Sequence, residues 1–351
     1  MRLKIYIISV LLIFCTDIYA FDKNITQLDI RVGILSDQFT LNGQPTFLLG
    51  VSYFDGRNFH QSDLNKLAAN GFNLIRIWLD WRTDNFFDEN GSWREGAEQD
   101  LIGLVDYANS QGLVVDVTIL DNNMSFGDSQ SKRRQVVQKV VEALKGKTNI
   151  LFDLVNEHNH IGYNTIVSHG EASLLRSIVK TIDQDRIVTI SSTGCHILCG
   201  STIDGLDRTN IQEELNEVKV DVLTTHFLRD DKWARKTGQR VTILKNYLVS
   251  IGKNIPIYLQ EEDRRSDGTG PDADDFLTAA VQARDAGAAG WIFHTSAGYN
   301  LAENDFFKNL DLVEQMVVNE LPIRIFGSKN GDSDNIAPSP PKGVNVTVDS
   351  K

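Results

Sequence analysis

Between residues 46 and 319 the chain alternates short apolar runs with longer segments whose apolar positions recur every three to four residues. The short runs have strand length, and the longer ones carry a helical face, as with Val136, Val137, Val140, Val141 and Leu144. The first pair is strand Thr46–Ser52 and helix Ser62–Asn70, stopped by Gly71. Strand Asn73–Leu79 leads through a long loop into a helix over 95–110, stopped by Gly112. Strands Leu113–Leu120 and Asn149–Val155 are followed by helices Ser131–Leu144 and Glu171–Ile182. Strand Arg186–Ser191 precedes a helix over 210–218, and strand Val220–Thr225 a helix over 231–250. Strands Ile255–Gln260 and Ala289–His294 precede helices Ala273–Ala286 and Asn304–Asn319. Strict alternation argues for a parallel sheet with crossover helices. Eight such units argue for closure into a (β/α)8 TIM barrel, an α/β fold.

The flanks read differently. Asp29–Leu41, leading into the turn pair Asn42-Gly43, has the pattern of a hairpin that could cover the barrel bottom. Residues 327–351 are rich in Ser, Asn, Asp, Gly and Pro, including Pro338-Ser-Pro-Pro-Lys342, and read as a flexible tail or linker. Arg2 and Lys4, the apolar run Ile5–Cys15 and the small residue Ala20 form an export signal over residues 1–20, with an uncleaved anchor as the alternative. Residues 21–326 are then the barrel domain of a secreted, periplasmic or cell-surface protein, expected to be a monomer with no membrane span after signal cleavage.

Composition narrows the partners. The 351 residues are 41% hydrophobic and 23% charged, as in a globular chain with a sizeable core, and the net charge is −12. No basic cluster stands out, so nucleic acid is not an expected partner. There is no glycine-rich phosphate loop after the first strand, which lowers the weight of nucleotide-binding folds. No cofactor and no metal are expected. Beyond the signal two cysteines remain, Cys195 and Cys199, an even pair that permits a disulfide in an exported chain. With His196 they also resemble half a zinc site, but a fourth ligand is not local. His158 and His160 could suggest metal as well; sugar contact or loop polarity suits their position better.

The candidate chemistry lies at strand ends. Glu157 closes the fourth predicted strand and Glu261 the seventh. Strand C-termini of a barrel share one mouth, and two carboxylates facing each other there can cleave a glycosidic bond. Glu262 is the rival of Glu261, but adjacent strand residues face opposite ways, so only one can face the mouth. Arg76 sits within an apolar strand, where an unpaired charge is costly, so a carboxylate must meet it.

Four segments together resemble the retaining glycoside hydrolases of clan A, most closely family 5 of the cellulase and mannanase type. They are Phe39-Thr-Leu-Asn-Gly-Gln-Pro-Thr-Phe-Leu-Leu-Gly50, Gly71-Phe-Asn-Leu-Ile-Arg-Ile-Trp78, the run from Asn149 to Glu157, and Pro256-Ile-Tyr-Leu-Gln-Glu261. The resemblance implies a retaining β-glycosidase acting on a β-linked poly- or oligosaccharide, with Glu157 as acid/base and Glu261 as nucleophile. It implies that Asn156 binds the sugar 2-hydroxyl, that Arg76 contacts the nucleophile, that His226 lies at the end of strand six, and that Trp291 floors a subsite. Trp81, past the end of the second strand, is a further candidate for sugar contact, with packing as the alternative for it and for Trp78. The acid of such a pair needs a raised pKa, which burial and an ionised neighbour favour.

Two departures stand out. Where the family commonly has a tyrosine beside the histidine of strand six, this chain has Phe227 and Leu228, with Tyr53, Tyr163 or Tyr299 as possible substitutes. Around the nucleophile the sequence is Gln260-Glu261-Glu262-Asp263-Arg264 instead of small and aromatic residues, and His294 stands where an aromatic is frequent. These departures keep open a catalytically silent carbohydrate-binding barrel, and a transglycosylase is a further alternative.

Overall fold

A computed structural model describes residues 29–81, 85–121, 129–160, 167–193, 206–266 and 268–327. The export signal, Cys15, Tyr163, Cys195, His196, Cys199 and the tail from 328 onward lie outside these residues.

The chain begins with β1 (Val32–Leu35), β2 (Gln38–Leu41) and β3 (Gln44–Pro45), which pair in that order as antiparallel ribbons. Asn42 and Gly43 both have positive φ (52° and 81°), as a two-residue turn between twisted strands requires. The barrel follows. Its strands are β4 (Leu48–Asp55), β5 (Leu74–Trp78), β6 (Val114–Leu120), β7 (Ile150–Val155), β8 (Val188–Thr189) with its continuation β9 (Ser191–Thr193), β10 (Thr224–His226), β11 (Tyr258–Leu259) and β12 (Gly290–Phe293). A seven-stranded parallel sheet runs β11-β12-β4-β5-β6-β7-β8. Beyond Ile190, β9 pairs with β10 in parallel. Leu223, just before β10, bridges to Ile257, just before β11. Strands five, six and seven are thereby joined and the eight-stranded circuit is closed.

The helices are α1 (Gln61–Asn70), α2 (Ala97–Ser110), α3 (Gln130–Ala143), α4 (His169–Ile182), α5 (Arg208–Glu213) running into a π-helical turn at Glu214–Val218, α6 (Trp233–Ser250), α7 (Ala273–Asp285), α8 (Phe306–Asn309) and α9 (Leu312–Phe326). The alternation read from the sequence is therefore present unit by unit. The last unit differs. Asp305 caps α8, and Asp311 with Glu314 forms a reciprocal capping box that starts α9 afresh, so one expected helix is two. α9 also continues through Pro322. A proline inside a helix costs about 3 kcal/mol. Here Val317, Val318, Leu321, Pro322 and Ile325 are all buried, and that packing outweighs the lost hydrogen bond.

Two apolar layers result. One lies between strands and helices. The other fills the barrel bottom, where Leu48, Leu74, Val114, Leu151, Ile187, Val222, Tyr258 and Ala289 meet Val32 and Phe39 of the first hairpin. Phe39 is fully buried, edge-on to Tyr258 at 5.7 Å between centroids. The hairpin thus plugs the end of the barrel opposite the strand C-termini, and apolar filling there leaves the upper interior to polar groups. Phe39→Ala should lower unfolding free energy by about 3–5 kcal/mol in urea titrations, as loss of a buried phenyl ring does. Activity at temperatures where the variant stays folded should be retained, because the plug is remote from the mouth.

Candidate active site

The upper barrel interior is built around one buried cation. Arg76, on β5, has no exposed surface. Its Nη1 donates to Glu261 Oε1 at 2.6 Å, its Nη2 to Asp153 Oδ2 at 2.8 Å and to Asn156 Oδ1 at 2.9 Å, and its Nε to Thr118 Oγ1 at 3.0 Å. Asp116 Oδ2 lies 3.7 Å from Nε. Asp116 on β6 and Asp153 on β7 are inward-facing charges in otherwise apolar strands, and the sequence reading missed both. The signal was there, since the argument that Arg76 must find a carboxylate applies equally to a carboxylate within Val114–Leu120 or Ile150–Val155. Burial raises the pKa of Asp153, and raises that of Asp116 to about 7 despite the opposing charge of Arg76.

Glu157 follows β7 and has φ of 46°, an uncommon value for a residue with a side chain. Strand five holds it there: Ser191 Oγ accepts from the Glu157 N–H at 3.0 Å, and the Ser191 carbonyl accepts from the His158 N–H at 2.9 Å. Ser191 is itself fixed by its N–H donating to Asp153 Oδ1 at 2.9 Å. Phe54, at the end of β4, has φ of 52° beside an irregularity in the β4–β5 register. Its ring is stacked on Trp78 at 4.0 Å and packs against Trp81 and Tyr299, each at 4.5 Å, forming an aromatic wall at the mouth. Non-glycine residues with positive φ cluster at functional sites because the surrounding structure must hold them.

Carboxylate oxygens of Glu157 and Glu261 and a ring nitrogen of His226 all lie within 4.8 Å of one another. His226 Nδ1 is 3.0 Å from Glu157 Oε1. Its Nε2 is 3.3 Å from Gln260 Oε1, while Gln260 Nε2 donates to Asp116 Oδ2 at 2.8 Å. That amide orientation requires His226 to carry a proton on Nε2, so Nδ1 and Glu157 share one further proton. Burial opposes charge on both partners, but their mutual interaction prevails: the pKa of Glu157 is lowered and that of His226 raised. The sequence expectation of a raised pKa on the acid is corrected here, because the hydrogen bond to His226 and its charge together outweigh burial. These opposite shifts favour the shared proton on His226 over Glu157.

Glu261 is more strongly ionised. Burial opposes its charge, but His226, Arg76 and Arg229 hold its carboxyl far below the usual range. Burial pushes the pKa of His294 well below that of free histidine, so this ring adds no charge. Its Nδ1 is 2.8 Å from Ser52 Oγ, and its Nε2 lies 3.4 Å from Glu261 Oε2. Arg229 Nη2 donates to the same oxygen at 3.4 Å. The spacing of Glu157, His226 and Glu261 is one that a metal ion could use. The hydrogen bond between the first two, and the guanidiniums on the third, satisfy these atoms without one.

Other residues singled out in the sequence fall away from the mouth. Glu262 points between strand and helix, where its carboxylate accepts from Thr237 Oγ1 and Trp291 Nε1, both at 2.6 Å. Trp291 is therefore corrected from subsite floor to core residue. It lies on the helix-facing side of β12 and is 1% exposed. An inward residue of β12 would have been needed, and His294 is the one that reaches Glu261. Tyr53 is also in the helix layer, donating to Asp63 Oδ2 at 2.9 Å. His158 is buried, with Nδ1 3.0 Å from the Val167 carbonyl and Nε2 3.4 Å from Glu214 Oε1. Half-buried Trp81 donates from Nε1 to the Tyr299 carbonyl at 3.1 Å, which fixes its ring at the rim.

With this geometry established, comparison with known proteins is decisive. The family model "Cellulase (glycosyl hydrolase family 5)" matches residues 39–296. The chain belongs to glycoside hydrolase family 5. It is thus an enzyme that hydrolyses O-glycosidic bonds, and its substrate is a carbohydrate. The chain is similar in fold to the β-mannanase of the blue mussel Mytilus edulis (TM-score 0.57, 13% identity, covering 85% of this chain and 98% of that one). It is likewise similar to the β-1,4-D-mannanase of Cryptopygus antarcticus (0.57, 15%, 84% and 94%). A broad-specificity endoglucanase from an uncultured bacterium is also similar (0.55, 14%, 77% and 85%). No curated protein sequence matches the chain. Among the described residues no helix is long and apolar enough to cross a membrane.

The placement of Glu262 has a thermodynamic consequence. Burial raises its pKa to about 7, above the ordinary glutamate value that applies in the unfolded chain. A carboxyl group with a raised folded-state pKa contributes stability below its unfolded pKa and loses it as pH rises through the folded one. Glu262→Gln, which stays neutral, should therefore gain stability relative to the parent as pH rises from about 4.5 to 7.5, by roughly 2–3 kcal/mol. Denaturant titrations of both proteins at the two pH values measure this; a constant difference would contradict a buried titrating Glu262.

Proposed function

We propose that this protein is an exported retaining β-glycosidase that cleaves a β-linked poly- or oligosaccharide by double displacement. The observation that carries the proposal is the approach of Glu157 and Glu261 oxygens to within 4.8 Å across the mouth, with Arg76 on the second carboxylate. Retaining enzymes hold their two carboxyl groups about 5–5.5 Å apart, whereas inverting ones leave about 6.5–9.5 Å for a water. Glu261 is the nucleophile. Arg76 occupies Oε1, which leaves Oε2 to attack the anomeric carbon.

Glu157 is the acid/base. The proton held on His226 crosses their hydrogen bond to Glu157 and then passes to the leaving glycosidic oxygen as the C–O bond breaks. Once Glu261 is esterified its negative charge is gone. Water then attacks the anomeric carbon, its proton goes to Glu157, and the electron pair of the ester bond returns to Glu261. Asn156 is held by Arg76 beside Glu157, where its free amide group can meet the sugar 2-hydroxyl. Half-buried Trp81 and Tyr299, backed by buried Phe54, offer an apolar surface for a sugar ring. The solved structures of similar fold include mannanases and an endoglucanase, which supports β-mannan and β-glucan as the first polymers to assay.

The two carboxylates should separate under mutation. Glu157→Ala should lower kcat on a polysaccharide by about 10²–10⁴-fold, the usual worth of general acid catalysis. A 2,4-dinitrophenyl glycoside needs little protonation, so its glycosylation step should survive much better, and added azide should restore turnover and yield a β-glycosyl azide. Glu261→Ala should be inactive on both substrates. Equal loss on both substrates for Glu157→Ala with no azide product, or near-normal activity of Glu261→Ala, would overturn these assignments.

A further inference from the structure

The loop after β10 carries Phe227 and Leu228 where family members commonly place a tyrosine on the nucleophile. Phe227 is buried in the layer between strands and helices and cannot replace it. Arg229, three residues after His226, does reach the mouth. Its Nε donates to the Glu262 carbonyl at 3.0 Å, which anchors the guanidinium to the backbone immediately after the nucleophile. Its Nη2 donates to Glu261 Oε2 at 3.4 Å, and its side chain is 34% exposed. Glu261 is its carboxylate partner among the described ion pairs. Arg76 grips Oε1 from the barrel interior, so the two guanidiniums divide the carboxylate between them, one oxygen each.

Building on the assignment of Glu261 as nucleophile, we propose that Arg229 is a catalytic residue of the second half-reaction. It stabilises the charge that returns to Glu261 Oε2 as the glycosyl-enzyme is hydrolysed. A neutral tyrosine would offer a weaker hydrogen bond to the same atom. Electrostatics gives this role a distinctive kinetic signature. Glu261 is fully charged in the free enzyme, partly charged in both transition states and neutral in the covalent intermediate. Arg229 therefore stabilises the free enzyme more than the first transition state, and the second transition state more than the intermediate. Removing its charge should leave glycosylation as fast or faster and make deglycosylation slower. For two sequential steps, kcat and KM then fall together while kcat/KM is kept or raised. General structural damage does the opposite and lowers kcat/KM.

The test compares the parent, Arg229→Gln and Arg229→Lys on 2,4-dinitrophenyl β-cellobioside and β-mannobioside, using whichever the parent turns over faster. In Arg229→Gln, kcat and KM should each fall by about three- to tenfold, half the worth of a charge-assisted hydrogen bond. kcat/KM should not fall, and a pre-steady-state burst of dinitrophenolate should appear or grow. Arg229→Lys keeps the charge and should stay within about twofold of the parent. The proposal is overturned if Arg229→Gln matches the parent, or if its kcat/KM falls in step with kcat. A separate control, trapping the parent with the corresponding 2-deoxy-2-fluoro glycoside and mapping the labelled peptide, reports on Glu261 itself. A label elsewhere would refute the underlying assignment, whatever Arg229 does.

Discussion

The architecture of the mouth depends on a guanidinium that water cannot reach. Arg76 is fully buried, and a charge so placed is tolerable only where ionised and polar partners surround it. It draws those partners from four places around the barrel: Asp116 on β6, Asp153 on β7, Asn156 just after β7, and Glu261 just after β11. Of the three carboxylates, Asp116 lies farthest from the guanidinium, 3.7 Å from Nε, and burial raises its pKa to about 7. Asp116 in turn orients Gln260, Gln260 sets the proton position on His226, and His226 sets the charge on Glu157. The protonation states of Glu157 and Glu261 are thus linked through the groups that make Arg76 tolerable.

The same constraint explains why the site is strained where it is. Ser191 joins the network through Asp153 and uses its hydroxyl and carbonyl to hold Glu157 at positive φ. Parallel pairing breaks at Ile190, between β8 and β9, where the Ser191 N–H turns to Asp153 instead of a strand partner. On the opposite side of the mouth Phe54 leaves the regular ladder and stacks on Trp78, whose other neighbour is the Arg76 guanidinium, 4.1 Å from the ring. Both irregular residues lie at the strand C-termini. At the barrel bottom the positive-φ residues Ser36 and Asn42 sit in the turns of the hairpin, and the strands themselves stay regular.

Much of this was legible in the residue pattern. Strand-helix alternation is a statement about local periodicity, and hydrophobic burial enforces it, so every barrel unit could be placed. Glu157, Glu261 and Arg76 were legible because charge at the end of, or inside, an apolar run demands a reason. Asp116 and Asp153 carried the same signal unread. Trp291 was misplaced because position within a strand does not by itself tell which face a side chain takes, and here its indole is claimed by Glu262. Arg229 and His294 had no sequence signal pointing to Glu261, while Gln260, its neighbour in the chain, turns to Asp116 and His226. The contacts of Arg229 and His294 arise from the meeting of loops distant in sequence. Nor could spacing reveal that Glu157 shares a proton with His226, since this follows from hydrogen-bond directions three residues deep.

The most direct test of the account is the configuration of the sugar at the moment of release. Proton NMR of the anomeric signal during hydrolysis of a β-linked oligosaccharide distinguishes the two outcomes before mutarotation blurs them. Two carboxylates at this separation, one of them held ionised by arginine, predict that the β-anomer accumulates first and the α-anomer only later. Initial release of the α-anomer would mean a single displacement by water, and would contradict Glu261 as a nucleophile.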